Sequence, residues 1–216
     1  MDIDWYGQAC FRIREGSVAI VTDPFDRGPD LPLPRVRADV VTASYMPDDA
    51  DRPRGIRGSP PVLHCAGEYE VGQVFVTAIP ILLKHATPPR NNLVFVYDWG
   101  ELTVCHLGRI DTLLREEQLE ALGNVDVLFV PIDGDQTLTA DQAAEMVQMI
   151  EPRIIIPMHV NPTRLPHDPA TLSHLLRALG LDRPPTEETL RLRAGALPEE
   201  TRLVLLECKQ DPKGLE

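Results

Sequence analysis

Short apolar runs broken by turns fill the first half of the chain, and a helical apolar period enters only after about residue 115. Residues 3–6, 9–14 and 18–22 read as three short strands with a turn at Glu15, Gly16 and Ser17, which predicts an antiparallel meander at the amino-terminal edge. The third run stops at Asp23-Pro24-Phe25, so a carboxylate stands just past a strand end. A proline-rich connection at 28–34 leads to a short buried strand at 39–42, followed by a polar, proline-broken loop at 43–51. After a second loop rich in Arg, Gly and Pro at 52–61, a short strand is expected at 62–64. Residues 68–71 and 74–78 flank Gly72-Gln73, a two-residue connection suited to a hairpin. Residues 80–91 read as an exposed excursion, and 93–97 with 102–106 form a second hairpin around 98–101.

The later pattern alternates helix and strand. Residues 115–122 are helical, 125–130 a strand, and 139–150 a helix in which Thr139 and Gln142 have the spacing of a capping box and Ala143, Met146, Val147 and Ile150 share one face. Pro152 ends that helix, and the apolar run at 153–157 suits a strand covered on both faces. Asp168 caps and Pro169 begins a last helix, with a stripe of Leu172, Leu175, Leu176 and Leu179 closed by Gly180. A final strand pair is expected near 189–193 and 202–207. A hairpin-rich half at about 1–110 and an alternating half at about 111–216 predict an α/β (α+β) class, two packed sheets with helices outside, in a single domain spanning 1–216.

Composition narrows the function. With 216 residues and 43% hydrophobic content, the chain buries a core of ordinary size. No apolar run approaches the roughly 20 residues of a membrane span and the start lacks the layout of a signal peptide, so the cytoplasm is the expected compartment, with no membrane partner. The net charge of −12, without a basic run, opposes binding to phosphate backbones, so no nucleic-acid partner is expected. Cys10, Cys65, Cys105 and Cys208 are widely spaced and form no zinc knuckle.

Several polar groups follow apolar runs at their carboxyl ends, where open α/β sheets keep their chemistry. They are Asp23, the loop carrying Tyr45, Asp48 and Asp49, Arg109, Asp133 and His159. If the strands point the same way, these groups meet at one rim. His64 and Cys65 offer soft donors before the GEYE hairpin, in which Glu68 and Glu70 share a face. No nucleophile elbow, Walker loop or dinucleotide fingerprint is present.

The order of motifs resembles the metallo-β-lactamase fold, in the branch of ascorbate-6-phosphate lactonase-like metal-dependent hydrolases. The matching segments are WYGQACFRI at 5–13, VTDPF at 21–25, VVTAS at 40–44, GEYEVGQVFVTAIP at 67–80, LTVCHLG at 102–108, VDVLFVPIDG at 125–134 and EPRIIIPMH at 151–159. The resemblance implies a four-layer αβ/βα sandwich. It also implies a degenerate metal site. The family's HxHxDH motif falls on Tyr45-Met46-Pro47-Asp48-Asp49-Ala50, the metal-bridging aspartate falls on Arg109, His159 matches a ligand, and His106 matches a nearby position.

Zinc catalysis needs about three protein ligands and an open position for water. The expectation is therefore a catalytically inactive family member, without cofactor, that binds a small anion or serves as a scaffold. Arg109 would supply the positive charge, pairing with Asp49 and Asp23, or would form a structural ion pair. The alternative is a hydrolase of a small anionic substrate, lactone or phosphate-containing, using one zinc, iron or manganese ion held by a set such as Asp49, His159 and His64. The 80–91 excursion could serve as a lid or as a contact between identical subunits.

Overall fold

The computed structural model describes residues 1–24, 36–45, 55–134, 136–158 and 169–209. Two sheets face each other. The first orders its strands Leu190–Arg191, Asp2–Trp5, Phe11–Glu15, Val18–Thr22, Val40–Thr42 and Val62–Leu63. The second orders Arg202–Leu203, Ile154–Met158, Val127–Pro131, Thr103–His106, Asn91–Asp98, Val74–Leu82 and Gly67–Val71. Helix α1 (Glu116–Leu122), helix α2 (Ala140–Ile150) and helix α3 (Pro169–Leu179) lie in the second half, with α2 packed on α3 and on Val127–Pro131.

Local sequence accounts for most of these elements. In Asp2–Trp5 burial alternates, with Ile3 and Trp5 turned into the core. Val18–Thr22, Val127–Pro131 and Ile154–Met158 are buried at every position, because both faces are covered. The α2 capping box forms: Gln142 N–H donates to Thr139 Oγ1 at 3.3 Å and Thr139 N–H donates to Gln142 Oε1 at 3.0 Å. Residues from both sheets share one apolar cluster around Phe11, Phe95, Phe129 and Leu128.

Two expectations change. The 80–91 excursion is shorter at both ends than expected, since Val74–Leu82 continues past the predicted end and Asn91–Asp98 begins early, with Asn91 opposite Leu82 and a loop at 83–90 between them. Ile81 and Leu83 are buried, so only the loop between the two strands is an excursion. The last two strands do not pair with each other. Leu190–Arg191 extends the first sheet beside Asp2–Trp5, Arg202–Leu203 extends the second beside Ile154–Met158, and Leu205–Leu206 pairs with Thr186–Glu187. Leu190–Arg191 and Arg202–Leu203 each complete an open edge of a larger sheet, whereas Leu205–Leu206 and Thr186–Glu187 make a two-stranded sheet of their own. The expected cap Asp168 lies outside the described residues.

One polar bond crosses the core. Thr42 Oγ1 and Tyr97 Oη are 2.6 Å apart, joining the two sheets, and both side chains are buried. Burial pushes the Tyr97 phenol well above its ordinary value, so the bond joins neutral groups. Tyr97→Phe is expected to cost about 1–3 kcal/mol, because it leaves a buried hydroxyl without this partner. Urea titration should show a lower midpoint at unchanged slope, and the double variant Thr42→Val, Tyr97→Phe should recover part of the loss.

Candidate functional site

Strand direction assembles the rim. Val18–Thr22, Val40–Thr42 and Val62–Leu63 run parallel, as do Thr103–His106, Val127–Pro131 and Ile154–Met158. Two bonds stitch the first sheet's rim to the second's: Leu93 N–H donates to Ser44 O at 2.8 Å, and His106 Nε2 lies 3.1 Å from Ala9 O. The predicted convergence therefore occurs for Asp23, Tyr45, His106 and Arg109.

At its base is a clasp around Asp23. This residue takes a left-handed backbone (φ 40°) and donates its N–H to Thr42 O at 2.9 Å. Its Oδ1 accepts Ser44 N–H at 2.6 Å and its Oδ2 accepts Ser44 Oγ–H at 2.5 Å. His106 Nδ1 is 4.0 Å from Oδ2. Gly108 N–H points at that Nδ1 at 3.2 Å, which makes Nδ1 an acceptor and leaves Nε2 to donate to Ala9 O. The ring is a neutral imidazole packed against Phe11 and Phe129. Burial lowers the His106 pKa from its ordinary 6.5, against the opposing pull of Asp23. Burial also raises the Asp23 carboxyl from its ordinary 3.8, against the lowering by His106, the Ser44 bonds and Arg109.

The clasp aims Arg109. Asn92, fully buried, accepts Arg109 N–H on Oδ1 at 2.7 Å and donates Nδ2–H to Leu107 O at 2.9 Å. Gly108 between them has φ +66°, and a Cβ there would stand 2.3 Å from Asn92 Oδ1 and 2.5 Å from Ser44 Cβ, so only glycine fits. The Arg109 guanidinium carbon lies 5.9 Å from the centroid of the Tyr45 ring. That of Arg90 lies 5.6 Å from the same centroid, and Arg90 Nη1 donates to Tyr45 Oη at 3.0 Å. These groups line a cleft of about 480 Å³ together with His85, Thr87, Asp111 and Gln136. A larger cavity of about 760 Å³ lies at the opposite ends of the strands, beside Asp126 and Arg153, away from the rim groups.

The other sequence candidates are distributed differently. His64 is exposed after Val62–Leu63, its Nδ1 3.2 Å from Val62 O, and neighbouring Cys65 is exposed as well. Asp133 accepts Thr137 Oγ1–H at 2.5 Å within its own turn, the ordinary role of an aspartate after a strand. Its loop reaches the cleft through Gln136 instead. The bonds that hold the Asp23 carboxylate come from Ser44, and Arg109 acts on it as a nearby charge rather than the expected pairing partner. Asp48, Asp49 and His159 lie outside the described residues. Sequence reasoning missed Arg90, Asp111, Asn92 and Ser44, and assigned nothing to His85. Arg90 closes an unremarkable proline-containing loop, and nothing local distinguishes it.

The described rim does not fit a catalytic metal. Both Asp23 oxygens are taken by Ser44, both His106 nitrogens are engaged inside the protein, and Arg109 brings a permanent cation. Among the described residues, no group of three or more His, Cys, Asp and Glu side chains could hold a metal ion.

The sequence and fold belong to a known class. The β-lactamase superfamily domain matches residues 2–159, and the chain belongs to that superfamily, in the metallo-β-lactamase-fold family of metal-dependent hydrolases grouped as UPF0173. It is 31% identical to a UPF0173 protein of Pyrococcus abyssi over 180 residues, covering 74% of this chain and 83% of that one. It is 24% identical to a UPF0173 metal-dependent hydrolase of Archaeoglobus fulgidus over 218 residues, covering 84% and 93%. A metallo-β-lactamase-superfamily structure from Thermotoga maritima, assigned as a Zn-dependent hydrolase, superposes with a TM-score of 0.77 at 30% identity, covering 95% and 97%.

Gly108→Ala is expected to destabilise the protein by about 2–4 kcal/mol, from overpacking plus left-handed strain, as read by chemical denaturation. The clasp also fixes a pH dependence. Below 6.5 the unfolded chain binds a proton that folded His106 refuses, so stability falls as pH drops from 6.5 toward the folded pKa. Asp23 works the other way, because the folded carboxyl keeps a proton that the unfolded chain releases above 3.8, so stability falls as pH rises from there to the folded pKa. In His106→Gln, the difference in unfolding free energy between about pH 5 and pH 7 should shrink relative to the parent.

Proposed function

We propose that this member of the family has lost its catalytic metals and uses the rim to bind a small anion, as a binding or scaffold protein in the cytoplasm without nucleic-acid or membrane partners. The observation that carries this reading is Arg109. It stands at the position where the resemblance puts the metal-bridging aspartate, and its guanidinium lines the cleft beside Tyr45. A guanidinium stays protonated at any relevant pH. At an effective dielectric near 20, two unit charges about 4 Å apart repel by about 4 kcal/mol, and a dication doubles that. Such a term cancels much of what two remaining ligands could supply. The same planar cation suits a carboxylate or phosphate, which it meets through paired N–H donors.

A second reading keeps the enzyme: one zinc, iron or manganese ion at an atypical site, hydrolysing a small anionic substrate. The description of relatives as metal-dependent hydrolases favours it.

Elemental analysis of protein purified without chelator, followed by zinc titration, separates the two. The expected result is far less than one metal per chain and no saturable zinc binding at micromolar concentration. Near-stoichiometric metal that disappears in His159→Ala would establish the second reading instead.

A further inference from the structure

We infer that the cleft holds a proton-transfer site that works without a metal. His85, oriented by the buried carboxylate of Asp111, acts as a general base toward water in the hydrolysis of a small carboxylic ester, and the Tyr45 hydroxyl donates to the reacting carbonyl. The inference goes beyond the reading of Arg109 as an anion-binding group and stands without it.

One carboxylate sets the base. Asp111 is buried behind the loop at 83–90, where its Oδ1 accepts Lys84 N–H at 3.0 Å and its Oδ2 accepts His85 N–H at 2.7 Å. The same Oδ2 lies 2.9 Å from His85 Nδ1. A carboxylate only accepts, so Nδ1 carries the proton and the lone pair of the neutral ring falls to Nε2. Nε2 has no hydrogen-bond partner among the described residues, and His85 lines the cleft of about 480 Å³. The loop does not need this ring for its attachment, because two backbone bonds already tie it to Asp111. A buried carboxylate that fixes the tautomer of an accessible imidazole is the orienting half of a hydrolytic triad.

The donor comes from Tyr45, which lines the same cleft. Its Oη accepts Arg90 Nη1–H at 3.0 Å, a bond that leaves the hydroxyl proton unused, and Tyr45 makes no other hydrogen bond among the described residues. Accepting from a guanidinium polarises the hydroxyl and strengthens it as a donor. Such a donor stabilises the negative charge that develops on a carbonyl oxygen under attack.

Water access sets the reaction class. The His85 side chain is 69% exposed, so solvent reaches Nε2 and the nucleophile at hand is water. As the water oxygen bonds to the acyl carbon, Nε2 takes one of its protons and the carbonyl electron pair moves onto oxygen, where the Tyr45 O–H meets it. The tetrahedral intermediate then breaks its bond to the alkoxy oxygen, which takes the proton from Nε2. An acid and an alcohol leave, and His85 is neutral again. The cleft sits in the lower part of the size range for small-molecule sites, which suits a compact ester.

The test is hydrolysis of 4-nitrophenyl acetate by the full chain, with and without a strong chelator. Turnover above the buffer rate, unchanged by chelator, is expected. His85→Ala should lower kcat/KM about a hundredfold or more, with added imidazole restoring part of the loss. Tyr45→Phe and Asp111→Asn should lower kcat more than they raise KM. Should Asp111→Asn not fold, long-range proton–nitrogen correlation spectra of the parent, recorded where the ring is neutral, read the positioning role directly: His85 should carry its proton on Nδ1. A ring protonated on Nε2, turnover unchanged in His85→Ala, or turnover abolished by the chelator would overturn the inference. Absence of turnover would overturn it as well, while phosphate binding that is lost in Arg109→Ala would still uphold the separate reading of Arg109.

Discussion

A buried carboxylate with both oxygens spoken for governs the geometry of the rim. Asp23 sits at the end of one sheet's strand and is held by both the backbone and the hydroxyl of Ser44. Ser44 in turn accepts a backbone bond from Leu93 of the other sheet. His106, neutral and buried, closes the far side by bonding back to Ala9. A buried ionisable group is tolerable only when its hydrogen bonds are supplied, and here satisfying Asp23 draws two sheets into fixed register. Gly108 and Asn92 fit into the space left over, and Arg109 is aimed as a consequence.

That arrangement leaves arginine side chains lining the cleft at the rim. Asp23 and His106 spend their hydrogen bonds inside the protein, on Ser44, Ala9 and Gly108. The cleft is lined by Arg109 and Arg90, whose guanidinium carbons lie 5.9 and 5.6 Å from the Tyr45 ring centroid, and by Asp111. The chain as a whole carries −12, which repels anions at long range. Salt screens such repulsion beyond roughly 8 Å, so the potential within the cleft is set by the side chains that line it. Family membership fixes the scaffold, while the chemistry available at the rim depends on the side chains it carries.

Much of the fold was legible in the sequence because its signals are local. The alternation in the first two strands, the two-residue turn at Gly72-Gln73, the capping box at Thr139 and the leucine stripe of α3 each depend on neighbours within a few positions. The placement of Asp23, Tyr45 and Arg109 just past apolar runs is local as well, and the motif order named the family. Tertiary structure alone decided the rest. It carried the Val74–Leu82 strand past its predicted end, because Ile81 finds cover opposite Asn92. It sent Leu190–Arg191 and Arg202–Leu203 to different sheets, each completing an open edge. It also brought Arg90 across 45 residues to Tyr45, and Asp111 to the loop that holds it. Periodicity reports which face of an element avoids water, but a contact between distant segments depends on where the intervening chain ends up, and no local pattern encodes that.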